Sequence, residues 1–84
     1  MPAVTLFWRP MCGYCHTLKN ELRRHGVPFT DVDIWADREQ ADVVKAANGG
    51  DELVPTVQIG NRFLANPDVK EILGALDDSS AWSD

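Results

Sequence analysis

Cysteine is scarce in this 84-residue chain: there are two, Cys12 and Cys15. A disulfide between residues three apart closes so short a loop that it removes little entropy from the unfolded chain, so the pair is a poor staple. Long apolar runs are missing too, and none approaches the ~20 residues needed to cross a bilayer. Positive charge is in short supply, with 8 Lys and Arg against 13 Asp and Glu and a formal net charge of -5. That balance argues against nucleic acid and anionic membrane surfaces as partners. Met1-Pro2-Ala3 carries neither a basic segment nor a long apolar stretch. No secretory leader is therefore expected, and the chain is expected in the cytoplasm. There, a cysteine pair serves catalysis or metal binding more often than structure.

What is present is the composition of an ordinary globular protein, 44% hydrophobic and 25% charged. The length allows one core and no second. One domain is expected over residues 1–77, followed by a polar, frayed tail over 78–84. The charge is unevenly spread. Arg9, His16, Lys19, Arg23 and Arg24 surround the cysteines, whereas acids gather between Asp31 and Asp42 and after Asp77. A locally basic site suits an anionic, carboxylate-bearing substrate.

The chain reads as seven elements. Val4-Thr5-Leu6-Phe7-Trp8 is a first strand, and a helix follows from Gly13 to His25, stopped by Gly26. Residues 27–34 alternate loosely as a second strand. Asp37, with Gln40 three residues on, forms a capping-box pattern for a second helix ending near Ala47. Residues 54–59 are a third strand, Gly60-Asn61 a hairpin turn, and residues 62–64 a fourth. Asn66 is the expected cap of a third helix, with Pro67 at its first position and Val69, Ile72, Leu73 and Leu76 as its apolar stripe. The order β-α-β-α-β-β-α predicts parallel first strands, joined by a right-handed crossover, and an antiparallel final hairpin. Together they make a four-stranded mixed sheet with helices on both faces.

Cys12-Gly13-Tyr14-Cys15 stands at the junction of the first strand and first helix, the setting of thiol–disulfide exchange. At 100° per residue, Cys15, Leu18, Leu22 and His25 share the stripe turned to the sheet, while Cys12, His16, Lys19 and Arg23 share another. Cys12 thus lies at the helix start, where free amides and the helix dipole stabilise a thiolate. It is the expected nucleophile, and the deeper Cys15 the expected resolving thiol. Gly13 is expected to allow tight entry into the helix. Tyr14 projects beside Cys12, to cover the sulfur, contact substrate or pack at the mouth. Arg9 is placed to reach a substrate carboxylate, and Lys19 is expected to be a solvated charge. No metal site is expected: structural zinc wants four ligands, and only the two cysteines are evident.

These residues resemble the glutaredoxin family of the thioredoxin fold, from Val4 to about Leu76. Cys12-Gly13-Tyr14-Cys15, Val54-Pro55-Thr56-Val57 and Ala65-Asn66-Pro67-Asp68 carry the resemblance. It implies an α/β, thioredoxin-like fold, a cis Pro55 facing the cysteines, and a Val54 backbone that pairs with the thiol substrate like an added strand. It also implies thiol-substrate binding by Arg9, Val54, Pro55, Pro67 and Asp68, although Ala65-Asn66 stands where the family usually has Gly-Gly. The Asn48-Gly49-Gly50 loop, the Val-Pro-Thr-Val strand and the Asn-Pro helix start look most like mycoredoxins of actinobacteria. The implied activity is reduction of mixed disulfides between proteins and a low-molecular-weight thiol, mycothiol ahead of glutathione. The thiol is a co-substrate, no cofactor is tightly bound, the chain is a monomer, and a flavoprotein disulfide reductase acts indirectly. Two related readings are a thioredoxin-reductase-coupled redoxin that donates electrons to ribonucleotide reductase and a glutaredoxin that binds an iron–sulfur cluster.

Overall fold

The computed structural model describes the backbone of residues 3–82 and the side chains of residues 3–78. Its elements are β1 (Val4–Trp8), α1 (Gly13–Arg24), β2 (Thr30–Asp33), α2 (Arg38–Ala47), β3 (Thr56–Ile59), β4 (Arg62–Ala65) and α3 (Val69–Trp82). Among the described residues the strands form one four-stranded sheet in the order β2-β1-β3-β4. β1 pairs parallel with β2, in a register that matches Thr5 with Thr30, and antiparallel with β3, matching Leu6 with Val57. β3 and β4 form the expected antiparallel hairpin around Gly60-Asn61.

The pleat of β1 sorts its side chains between two layers. Val4 and Leu6 join Leu18, Leu22, Val57, Ile59, Ile72 and Leu76 in the core shared with α1 and α3. Phe7 points the other way and packs with Ile34, Ala41 and Val44 beneath α2. The fold is thus a thioredoxin-like α/β sandwich, with α1 and α3 on one face of the sheet and α2 on the other. The loop after β1 and the loop before β3 leave the same end of these adjacent antiparallel strands, which sets residues 9–12 near residues 53–55.

α1 ends as the sequence implies. Gly26, at φ 67°, takes the left-handed conformation open to glycine. Its amide donates to Arg23 O at 3.1 Å and the Val27 amide to Leu22 O at 2.9 Å, the two bonds of a Schellman stop. Because Val27 closes the helix and Pro28 has no amide to give, β2 begins at Thr30 rather than residue 27. His25, expected on the sheet-facing stripe, is the exposed cap residue of α1.

Two caps differ from expectation. Asp37 occupies the N-cap position of α2 but makes no side-chain cap bond. The local carboxylate work falls to Asp33, whose Oδ1 accepts from the Trp35 amide at 2.9 Å and the Ala36 amide at 3.3 Å. This Asx turn ends β2 and sets the entry to α2. At α3 the cap is Asp68, not Asn66: Asp68 Oδ1 accepts from the Glu71 amide at 2.8 Å, and the helix starts at Val69. Its backbone remains helical to Trp82, beyond the point where fraying was expected. The side chains of 79–82, and residues 1, 2, 83 and 84, lie outside the described residues, including the end of the expected tail.

Candidate active site

The chain leaves β1 and turns at Met11, whose φ of 64° is left-handed. For a residue with a Cβ this costs roughly 1–2 kcal/mol. The turn delivers Cys12 to the N-cap of α1 with extended backbone, φ -104° and ψ 104°. There Cys12 Sγ accepts from the Cys15 amide at 3.2 Å. The two cysteines are joined as a disulfide, with Cα atoms 5.2 Å apart. Cys15 is fully buried, and Cys12 keeps 7% of its surface. Gly13 is not sterically required: its φ is not left-handed, and a Cβ there would meet nothing within 4 Å. The unusual backbone belongs to Met11.

The segment facing this loop is Val54-Pro55, and its peptide bond is cis. The Pro55 carbonyl accepts from the Asn66 amide at 2.8 Å, which ties the segment to the turn leading into α3. Among the described residues, neither the amide nor the carbonyl of Val54 has a partner in the chain. Asn66 itself has φ 46°. It stands in the Ala65-Asn66 pair that replaces the expected glycines, and Asn is among the side chains that tolerate left-handed backbone best. The turn therefore keeps a glycine-like shape without glycine.

Between α1 and the start of α3 runs a groove of about 310 Å³, lined by Tyr14, Thr17, Leu18, Glu21, Pro55 and residues 66–69. It reaches the disulfide loop at Tyr14, which is 76% exposed. Pro55, Pro67 and Asp68 thus line one groove. Arg9 and Val54 do not line it. Sequence reasoning missed Thr17 and Glu21, although the signal was available. With Tyr14 they stand at i, i+3 and i+7 on one helix, the spacing of a single face.

None of the basic residues expected around the cysteines lines the groove. Lys19, expected to be solvated, is buried, with Nζ 3.3 Å from the centre of the Trp8 ring. Arg9 lies over Trp35 at 5.5 Å and Arg23 over Phe29 at 5.9 Å. Arg24 pairs with Glu21 at 2.9 Å, and His16 leans on Trp8. Aromatic faces attract Arg9, Lys19 and Arg23, whereas Arg24 is held by Glu21, a residue of the groove wall. The charged side chains that do line it are the carboxylates of Glu21 and Asp68.

Comparison with known proteins agrees with this geometry. The Glutaredoxin family model matches residues 4–64. A Mycobacterium tuberculosis protein described as a glutaredoxin is 36% identical over 75 residues, covering 88% of this chain and 89% of its own. Mycoredoxin 1 of Corynebacterium glutamicum is 31% identical over 78 residues, covering 92% of this chain and 96% of its own. The crystal structure of a glutaredoxin from Archaeoglobus fulgidus superposes with a TM-score of 0.73 at 20% identity, covering 88% of this chain and 85% of that one. That likeness speaks for the fold alone. With its two cysteines at the mouth of α1, the chain belongs to the glutaredoxin family and is a thiol–disulfide oxidoreductase.

Proposed function

We propose that the protein reduces mixed disulfides between proteins and a neutral low-molecular-weight thiol in the cytoplasm, with mycothiol ahead of glutathione. The observation that carries this reading is the charge of the groove. Glutathione brings two carboxylates to a groove whose charged lining side chains are both carboxylates, Asp68 and the Arg24-paired Glu21. Mycothiol is a neutral, hydroxyl-bearing pseudodisaccharide. Its hydroxyls can donate to those carboxylates and to the Asn66 amide oxygen without a charge penalty. The identity to mycoredoxin 1 along nearly the whole chain supports the same choice.

The chemistry follows from the two thiols of the reduced protein. Cys12 is the nucleophile. Its thiolate accepts the Cys15 amide and lies at the positive end of α1, a stabilisation of about 1 kcal/mol from the helix dipole alone. It attacks the small-thiol sulfur of the mixed disulfide. The S–S bond breaks, the target protein leaves as a thiolate that takes a proton from water, and the small thiol remains on Cys12. A second small thiolate attacks that same sulfur. It releases Cys12 and leaves as a symmetrical disulfide, which a flavoprotein reductase returns to thiols. Cys15 can instead attack Cys12, freeing the small thiol and forming the intramolecular disulfide.

The deciding experiment uses one protein mixed disulfide made with each thiol and assayed with the matching thiol and reductase. A higher kcat/KM for the mycothiol form is the expected result. A preference for glutathione overturns the choice of thiol. Weak turnover of both, together with efficient reduction by thioredoxin reductase, replaces the reading with that of a thioredoxin-like redoxin.

A further inference from the structure

The segment opposite the disulfide is held from behind by a side-chain relay. Asn48 ends α2, and its Nδ2 donates to Val44 O at 2.9 Å and to Thr56 Oγ1 at 3.2 Å. Thr56 Oγ1 in turn donates to Leu53 O at 2.6 Å. Thr56 is fully buried, and a buried hydroxyl left without its partners is costly. The relay therefore fixes the distance between Leu53 and Thr56, the residues that bracket Val54 and Pro55. On the far side the Asn66 amide holds Pro55 O. Val54 sits between these anchors with its own amide and carbonyl unpartnered among the described residues.

We propose that the Asn48–Thr56 relay is a positioning device for substrate capture. It presents the Val54 amide and carbonyl at the spacing at which an extended peptide beside the disulfide can pair with them. Asn48 and Thr56 touch no substrate. They act by fixing the backbone that does, and pre-ordering that backbone removes an entropy cost from binding. The inference rests on the reading that Val54 pairs with a substrate's main chain. It is independent of which small thiol the protein uses.

The relay is directional. Asn48 supplies a donor to Thr56, which leaves the Thr56 hydroxyl proton for Leu53 O. In Asn48→Asp the carboxylate only accepts. It draws the Thr56 hydroxyl away from Leu53 with almost no change of shape. Asn48→Ala removes the bond outright. Thr56→Ser keeps the hydroxyl and serves as the conservative control.

Three substrates separate the possible outcomes. The first is a cysteine peptide in mixed disulfide with 2-mercaptoethanol. The second is the same peptide N-methylated at the residue flanking its cysteine, so that one backbone donor is lost. The third is 2-hydroxyethyl disulfide, which has no peptide backbone. We expect Asn48→Asp and Asn48→Ala to raise KM for the unmodified peptide about tenfold with kcat little changed. Thr56→Ser should behave as wild type. Turnover of 2-hydroxyethyl disulfide and the rate of Cys12 alkylation by iodoacetamide should be the same in all variants. Wild type should prefer the unmodified peptide, and the Asn48 variants should lose that preference. A wild-type preference that persists in both Asn48 variants overturns the relay while leaving Val54 pairing intact. No preference in wild type overturns the pairing and the relay together. An equal fall on all three substrates overturns the proposal in favour of a general structural role. If Asn48→Ala unfolds, the isosteric Asn48→Asp still decides between these results.

Discussion

The Cys15 amide donates to the sulfur of Cys12 across the first turn of α1 at 3.2 Å. The two cysteines therefore differ in kind. One sulfur accepts a main-chain hydrogen bond at the mouth of a helix, and the other is buried with no exposed surface.

That asymmetry predicts unequal variants. Cys12→Ser is expected to reduce mixed disulfides no faster than the uncatalysed background. Cys15→Ser is expected to keep turnover, because the second small thiol replaces the resolving step. In the reduced protein, iodoacetamide should label Cys12 well before Cys15, since the thiolate is the reactive form and access is one-sided. Mass spectrometry of partly alkylated protein checks the order. Turnover by Cys12→Ser would collapse the assignment.

The acids of the groove predict a change of substrate preference. Glu21→Gln with Asp68→Asn removes two negative charges and keeps a capping side chain at the start of α3. The kcat/KM for a glutathione mixed disulfide should rise about threefold, the scale of exposed charge interactions, and that for the mycothiol form should change little. Added salt should bring wild type toward the variant with glutathione, because these carboxylates are exposed enough to be screened. Equal effects on both thiols would show that the charges do not choose between them.

The cap of α3 gives a stability prediction with an internal control. Asp68→Ala removes the bond to the Glu71 amide and is expected to cost about 1 kcal/mol. For a domain of this size that lowers Tm by roughly 4–8 °C. Asp68→Asn keeps an accepting oxygen and should lose much less. Thermal unfolding followed by circular dichroism separates the two. Similar losses in both variants would mean that charge, not capping, is what Asp68 contributes.

Much of this was legible in the sequence because it depends on local patterns. The period of β1, the Gly26 stop and the helical spacing of Ile72 and Leu76 each point to one element, and the Cys-x-x-Cys at the first strand-to-helix junction locates the chemistry. Capping was less legible. Asp33, Asp37, Asn66 and Asp68 are all competent caps, and tertiary placement decides which side chain finds an amide. The Asp68-Val69-Lys70-Glu71 pattern did carry a capping signal of its own. Electrostatics were the least legible. Basic residues near the cysteines in sequence suggested a basic site. The partners that remove them, Trp8 under Lys19 and Trp35 under Arg9, are brought there by strand ends and loops that no short-range pattern describes. The Asn48–Thr56 bond crosses from α2 to β3 and was invisible for the same reason.

Glu52 supplies a pH-dependent prediction in the loop that leads to Val54. Its Oε1 accepts from Arg38 Nη1 at 2.7 Å, its Oε2 lies 3.6 Å from Lys45 Nζ, and Arg38 also donates to Ile34 O at 3.2 Å. The hydrogen bond from Arg38 is the main reason that the Glu52 carboxyl titrates below its ordinary 4.5, with the charges of Arg38 and Lys45 adding to it. The same bond raises Arg38 above its ordinary value. A carboxyl whose folded value is depressed holds its charge to lower pH than it does in the unfolded chain. Its contribution to stability is therefore complete above 4.5 and is lost as the pH falls through the lower folded value. Glu52→Gln should accordingly have a lower Tm than wild type at neutral pH, and the gap should narrow as the solution is acidified below 4.5. Because the three side chains are partly exposed, salt at neutral pH should narrow it as well. Denaturation of both proteins over a pH series tests the sign: a gap that widens on acidification would mean that the Glu52 carboxylate destabilises the fold.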